Sequence, residues 1–259
     1  LHLADLFTLG QARNLFICGK PGTGKTACIK YVLKEVARHA SDTKAPVLSA
    51  YVNAGRTRTP YYTLAEVVKQ LGVNVPNAGW QLFRLKRELE NLLVEKSLLI
   101  AIDEVDSILF KEKDPLVYYL NRQPKTTLIL ISNSIHDAVK LPERAVSTLQ
   151  PILINIEPYD EEEIKQILKE RVEHALKPGA ISDPLLATIA KSVSEEGDIR
   201  FALRILLSAA LKADKAKRRT IDPEDVTSAT EEEGRLRKIK HLEALKDELL
   251  KRARKHERD

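Results

Sequence analysis

Cysteine is scarce in this chain, and several hallmarks of secreted or membrane proteins are missing. The 259 residues include only Cys18 and Cys28, which excludes a disulfide framework and a zinc site built from cysteine pairs. No apolar run approaches the roughly 18 residues that a membrane-spanning helix needs. The start at Leu1 does not resemble a signal peptide. We therefore expect a cytoplasmic protein without a membrane partner.

Methionine is absent, and aromatic residues make up only 5% of the chain, against 31% charged and 43% hydrophobic residues. This balance is typical of a helix-rich globular protein. The 42 Lys and Arg exceed the 37 Asp and Glu, for a net charge of +5. Residues 234–259 alone hold ten Lys or Arg against five Asp or Glu. That segment is compatible with nucleic-acid binding, and a solvated helix face explains it equally well.

Apolar runs and turn signals predict an α/β part followed by a helical part. Wholly apolar strands that alternate with helices are typical of a parallel sheet buried on both faces. After Pro158 the pattern is helical only. There Asp198 is a candidate N-cap, and Asp183-Pro184 and Asp222-Pro223 each resemble an N-cap followed by proline. The five predicted strands are residues 14–18, 47–52, 97–102, 126–132 and 151–156.

The strongest motif is a glycine-rich loop between the first strand and the next helix. Residues 19–26 have the pattern G-x-x-x-x-G-K-T. The glycines allow backbone N–H groups to surround phosphates, and the helix N-terminus adds a partial positive charge. We expect ATP or ADP to bind here, with Lys25 reaching the β- and γ-phosphates of ATP and the Thr26 hydroxyl binding Mg²⁺. The predicted nucleotide-binding residues are Gly19, Lys20, Pro21, Gly22, Thr23, Gly24, Lys25, Thr26 and Ala27.

Two acids follow the third predicted strand. Asp103 is expected to act at the Mg²⁺ site together with Thr26, and Glu104 to polarise the attacking water as general base. An Asp-Glu pair alone is a weak signal, but it is strong downstream of a phosphate-binding loop. The six histidines lack ligand spacing, so no metal other than nucleotide-bound Mg²⁺ is predicted.

The order of these motifs resembles the AAA+ class of P-loop ATPases. In that class a strand ending in a polar residue follows the Asp-Glu strand, and an all-helical lid follows the sheet. Asn133 matches the polar residue that helps to orient the lytic water. The resemblance implies an α/β base, residues 1–157, with a parallel sheet flanked by helices, and an all-helical lid, residues 158–230. A charged helix is expected over residues 231–259.

Within the class, four segments resemble the archaeal origin-recognition/cell-division-control replication initiators. The match covers most of residues 15–230. One segment, Gly-Asp-Ile-Arg-Phe-Ala-Leu, resembles the arginine-bearing lid helix of that family. The four segments are residues 51–61 with 71–79, residues 115–122, residues 141–149 and residues 197–203.

The resemblance implies further roles. Arg200 is expected to contact the γ-phosphate from the lid, and Arg144 to reach the nucleotide of a neighbouring subunit. In the family an inserted element, here about residues 53–80, contacts origin DNA, which makes Arg56 and Arg58 the candidate DNA-binding residues. The implied partners are duplex origin DNA, the replicative helicase and paralogous initiator subunits. Slow ATP hydrolysis would act as a switch, in a nucleoid-associated protein.

One departure leaves alternatives open. The family continues into a winged-helix domain, and no winged-helix pattern is visible here. A clamp-loader-like or branch-migration-like AAA+ motor is one alternative, although neither a Ser-Arg-Cys finger motif nor an aromatic pore loop is found. A nucleotide-locked scaffold or signalling module is another. Asp103, Glu104, Asn133 and Arg200 argue against it, because a scaffold does not need groups that position water.

Overall fold

The computed structural model describes residues 5–9, 12–76, 79–109, 116–139, 141 and 147–256. Arg144 and Pro115 lie outside the described residues. The chain divides into two compact units, Leu1–Glu157 and Pro158–Asp259. Within the described part, no helix combines the length and the apolar character needed to cross a membrane.

The first unit contains a five-stranded sheet with helices on both faces. Its strands are β1 Leu15–Cys18, β2 Val47–Asn53, β3 Ser97–Asp103, β4 Thr126–Ile131 and β5 Ile152–Asn155. Its helices are α1 Asp5–Thr8, α2 Lys25–Thr43, α3 Ala54–Thr57, α4 Pro60–Gln70, α5 Leu82–Leu92, α6 Asp106–Leu109, α7 Leu116–Asn121 and α8 His136–Val139.

The sheet is parallel throughout and has the strand order β2-β3-β4-β1-β5. This confirms the predicted α/β architecture, and each predicted strand differs from the observed one by no more than a residue at either end. Because parallel strands end at the same edge of a sheet, the loops after β1, β3 and β4 lie side by side. Ligands in α/β proteins bind at this edge.

The two faces of the sheet bury alternate residues of each strand, as the period of two requires. On one face Leu99, Ala101 and Ile129 pack with residues of α2, including Ile29 and Leu33. On the other face the residues that alternate with them, such as Ile100 and Leu128, pack with α4, α5 and α7. Burial of each such Leu or Ile side chain contributes about 1.5 to 3 kcal/mol. The sheet is therefore a rigid platform for the loops at its edge.

The second unit is helical, as predicted. It contains α9 Glu161–Ala175, α10 Asp183–Val193, α11 Ile199–Lys215 and α12 Pro223–His256. Its core includes Ile164, Leu168, Ile189 and Ile205. Helix α12 runs without a break, so the predicted charged helix is the continuation of the last lid helix.

Helices of the second unit begin at capping residues, and one of the predicted capping residues was wrong. Asp198 caps α11 by accepting the Arg200 N–H, as predicted. The prediction that Asp183 caps α10 is wrong, because Ser182 occupies the N-cap position and Asp183 lies in the first turn. Both residue types favour this position, and the Leu186 N–H donates to the Ser182 carbonyl, which fixes the start one residue earlier. In the first turn a carboxylate still interacts favourably with the helix dipole.

Candidate nucleotide-binding site

The glycine-rich loop connects β1 to α2 and folds in a way that only glycine permits at two positions. Gly24 is the N-cap of α2 and has a φ of 79°, in the left-handed region. Gly19 approaches the chain after β5 closely, since a Cβ atom there would lie 2.4 Å from the Ile156 carbonyl oxygen. The loop backbone is thus held at the sheet edge, directly before the first turn of α2.

Lys25 is the first residue of α2, and its side chain is buried. Its Nζ donates to the carbonyl oxygens of Gly19 at 2.7 Å and Lys20 at 2.8 Å. The ammonium group therefore lies against the loop backbone. The backbone N–H groups in the first turn of a helix have no intrahelical partners, and together with this cation they suit a phosphate group.

Asp103 and Thr26, the two predicted Mg²⁺ residues, are in direct contact. The Thr26 hydroxyl donates to Asp103 Oδ2 at 2.6 Å, which joins the first turn of α2 to the end of β3. Asp103 is buried, and its Oδ1 accepts the Glu104 N–H at 2.9 Å. Hydroxyl and carboxylate oxygens are the hard donors that Mg²⁺ prefers, so these residues fit a nucleotide-bound Mg²⁺.

A protein-only metal cage is not found within the residues that the structure describes. No group of three or more His, Cys, Asp and Glu side chains there is arranged to hold a metal ion. Mg²⁺ in nucleotide sites is usually bound by one or two protein groups plus phosphates and water. The pair of Thr26 and Asp103 agrees with that kind of site.

Glu104 follows Asp103 in a turn and has a φ of 51°, an uncommon conformation for a residue with a side chain. Its side chain is exposed, and Oε1 accepts the Asn53 Nδ2 at 3.0 Å. Asn53 also caps α3, since its Oδ1 accepts the Arg56 N–H at 3.0 Å. Gly55 leaves room for the carboxylate, because a Cβ there would lie 1.9 Å from Glu104 Oε2. Glu104 is therefore held against α3.

The role of Asn53 in holding Glu104 was not predicted. From the sequence, Asn53 was only one residue of a segment that resembles replication initiators. It is the last residue of β2 and pairs with Asp103 across the sheet. A polar residue at the end of the strand beside Asp103-Glu104 is the signal that would have identified it.

Asn133 lies just beyond β4 and is exposed. Since β4 lies between β1 and β3, Asn133 is at the same sheet edge as the glycine-rich loop and Glu104. Its neighbour Ser132 is buried and donates to Asp137 Oδ2 at 2.5 Å. The Val105 N–H donates to the Ile131 carbonyl, which joins the turn after Glu104 to β4. The two residues before Asn133 are thus held by contacts to α8 and to the turn after Glu104.

A half-buried carboxyl group lies near these loops and was also missed from sequence. The pKa of Asp106 is raised, chiefly by burial, and additionally by the nearby carboxylates of Asp137 and Glu104. Its Oδ1 is buried without a hydrogen-bond partner. Burial and the nearby carboxylates both disfavour the charged form of Asp106.

Arg200 belongs to the second unit, where it lies in the first turn of α11. Its side chain is 67% exposed, and Nε lies 3.9 Å from Asp198 Oδ1. The turn before it is tightly constrained, because a Cβ at Gly197 would lie 2.9 Å from backbone atoms of Tyr159. The exposed guanidinium is therefore available for a ligand.

The two candidate DNA-binding arginines lie beside the Asn53 contact. Arg56 is within α3, and Arg58 is its C-cap residue, with a φ of 60°. Both side chains are exposed. Further along the predicted inserted element, Tyr62 on α4 is 59% exposed. This element thus presents cations and an aromatic ring to the solvent, while its first cap holds Glu104.

Comparison with protein families identifies the class of this fold and site. An AAA domain model matches residues 8–141, just over half of the chain, and the chain belongs to that family. A model of the Cdc6 AAA+ ATPase-type lid domain matches residues 165–231. The predicted AAA+ base and helical lid are thereby confirmed.

Individual relatives make the resemblance more specific. The chain is 31% identical over 211 residues to the ORC1-type DNA replication protein 1 of Methanothermobacter thermautotrophicus, covering 78% of this chain and 55% of that protein. It is 34% identical over 223 residues to the ORC1-type DNA replication protein of Methanosphaera stadtmanae, covering 83% and 58%. The predicted resemblance to archaeal replication initiators is confirmed. The chain spans little more than half the length of these relatives.

A solved structure of an ORC1 protein is also similar to this chain. The fold is similar to that of the Aeropyrum pernix ORC1 protein in complex with DNA, with a TM-score of 0.79 and 29% identity. The similarity covers 89% of this chain and 62% of that protein.

Proposed function

We propose that this chain is the ATP-binding and ATP-hydrolysing part of a DNA replication initiator. The contact between Thr26 and Asp103 carries the proposal, because it joins the glycine-rich loop to the acidic strand end at 2.6 Å. Bound nucleotide would have its phosphates at the first turn of α2 and against Lys25. Mg²⁺ held near Thr26 and Asp103 would supply charge neutralisation of the phosphates.

Hydrolysis requires a base beside the γ-phosphate, and Glu104 is the proposed group. Its exposed carboxylate lies directly after Asp103 and can accept a proton from the attacking water. Asn133, at the neighbouring strand end, would orient that water. Arg200 would contact the γ-phosphate from the lid, and Arg144 would do so from a neighbouring subunit. These last two roles rest on the family resemblance.

The contact between Asn53 and Glu104 provides a structural basis for the proposed switch. While Asn53 donates to Glu104, one carboxylate oxygen is occupied and the group is directed toward α3. Since the same Asn53 caps α3, a movement of α3 would shift the group that holds Glu104. DNA binding at Arg56 and Arg58, three and five residues after Asn53, would thus be coupled to the position of the general base Glu104. ATP turnover would respond to DNA through this short connection.

The DNA role is supported by the relatives and by charge. The ORC1 protein from Aeropyrum pernix was solved with DNA, and the present chain has a net charge of +5. We propose that the chain binds duplex origin DNA on the chromosome in the cytoplasm. We further propose that it cooperates with paralogous initiator subunits to help load the replicative helicase, with slow hydrolysis resetting the complex.

Removing Arg56 and Arg58 tests the proposed DNA contact. Replacing both by Ala is expected to weaken duplex binding about tenfold at low salt. The slope of log affinity against log salt should become less steep by about 2, since each lost phosphate contact changes it by roughly 0.9. Fluorescence anisotropy of a labelled duplex over a salt series measures both quantities.

The matched control removes the same charge from the lid. Arg171 and Arg219 are exposed arginines of the second unit, and the double variant Arg171→Ala, Arg219→Ala should retain the original slope. Equal losses in both double variants would show that only net charge attracts DNA. That result would contradict a contact at α3.

A further inference from the structure

Tyr51 is directed toward Asp103 by the register of the sheet. It lies on β2 and pairs with Ala101 of β3, two residues before Asp103. Tyr51 and Asp103 therefore share a face of the sheet at diagonal positions of neighbouring strands, within reach of a long side chain. The Tyr51 hydroxyl donates to Asp103 Oδ2 at 2.8 Å.

Asp103 is thereby fixed from three directions. Oδ2 accepts both the Thr26 and the Tyr51 hydroxyls, and Oδ1 accepts the Glu104 N–H. The Thr26 oxygen retains lone pairs for a cation while its proton is donated to Asp103. The Tyr51 hydroxyl reaches the same carboxylate from the neighbouring strand β2.

Tyr51 is itself anchored at its ring and at its backbone. Lys30, one helical turn after Thr26 on α2, has its Nζ 4.7 Å from the ring centroid, within cation–π range. β2 is the edge strand of the sheet that the structure describes, so one side of its backbone has no strand partner among the described residues. There Gln70 accepts the Tyr51 N–H at 3.0 Å and donates to its carbonyl at 2.8 Å. The phenol is therefore a rigid support.

We propose that Tyr51 is a positioning residue that orients Asp103 and so sets the Mg²⁺ affinity of the nucleotide site. The inference rests on the proposed function, because it assumes that nucleotide and Mg²⁺ bind at this edge. Groups that orient a metal-binding residue typically change metal affinity 10- to 100-fold when removed. Tyr51 is expected to act at the lower end of that range, since the Thr26 and Glu104 contacts to Asp103 remain.

The test separates Mg²⁺-dependent from Mg²⁺-independent nucleotide binding. A fluorescent ATP analogue is titrated with Mg²⁺ in the presence of the original chain or the Tyr51→Phe variant, and binding is repeated in EDTA. We expect the Mg²⁺ concentration at half-maximal binding to rise about tenfold in Tyr51→Phe. Binding in EDTA should not change. Lys30→Ala, which removes only the stacked cation, should give a smaller rise.

Tyr31 supplies the control, because it is 65% exposed on α2, next to Lys30. Tyr31→Phe should match the original chain in both conditions. An unchanged Mg²⁺ requirement in Tyr51→Phe would overturn the proposal, as would an equal loss of binding with and without Mg²⁺. Failure of the original chain to bind the analogue in either condition would instead reject the proposed nucleotide site.

Discussion

Nucleotide binding is expected to fall about 30-fold or more when Lys25 is replaced by Ala. The Lys25 ammonium is buried against the glycine-rich loop, where it is proposed to pair with the β- and γ-phosphates. Removing one partner of a buried charge pair costs about 2 to 5 kcal/mol, and each 1.4 kcal/mol changes affinity about tenfold. Isothermal titration with ATP, in the presence of Mg²⁺, measures the loss.

Lys34→Ala is the matched control for Lys25→Ala. Lys34 is exposed on the same helix, nine residues further on. Its removal changes the net charge by the same amount and should leave ATP affinity within a factor of two or so, since surface substitutions are usually worth less than about 0.5 kcal/mol. Tight ATP binding by a folded Lys25→Ala variant would show that the phosphates lie elsewhere.

Replacing Glu104 by Gln should separate binding from hydrolysis. Gln has nearly the same shape but cannot accept the proton of the attacking water, and general-base catalysis contributes about 100- to 10,000-fold. We therefore expect ATP turnover to fall at least about 100-fold, while ATP affinity changes little because Lys25 and Thr26 are intact. Phosphate release, followed in the same samples as ATP binding, gives both values.

Asn53→Ala provides the complementary comparison. It removes the Asn53 contact to Glu104 but leaves the carboxylate itself. Turnover should therefore persist, and it should respond less to added DNA because the connection between α3 and Glu104 is lost.

If Glu104→Gln turned over ATP at the original rate, Glu104 would not be the general base.

Local patterns in the sequence were sufficient to predict the strands, the helical second unit and the phosphate-binding loop. The strands β3 and β4 are buried along their whole length, so continuous apolar runs identified them. The glycine-rich loop is contiguous, and its geometry follows from Gly19 and Gly24. The AAA+ class and the resemblance to archaeal initiators followed from the order of such motifs, and both are confirmed.

Contacts between distant segments that no motif links could not be predicted. The Asn53 contact to Glu104 and the Tyr51 contact to Asp103 link residues about 50 positions apart. They depend on the register of β2 against β3, which a single sequence does not specify. The prediction of the α10 N-cap residue failed for a different reason, because Ser182 and Asp183 are both good capping residues. The hydrogen bond from the Leu186 N–H to the Ser182 carbonyl distinguishes them, and it is visible only in the folded chain.

The most direct measurement for the proposed initiator role uses genomic DNA. Sheared DNA of the encoding organism is incubated with the protein and ATP or ADP, and the retained fragments are sequenced. We expect enrichment at one or a few discrete loci that depends on which nucleotide is present. Uniform retention that disappears at moderate salt would mean purely electrostatic binding, and it would contradict the proposal that this chain recognises replication origins.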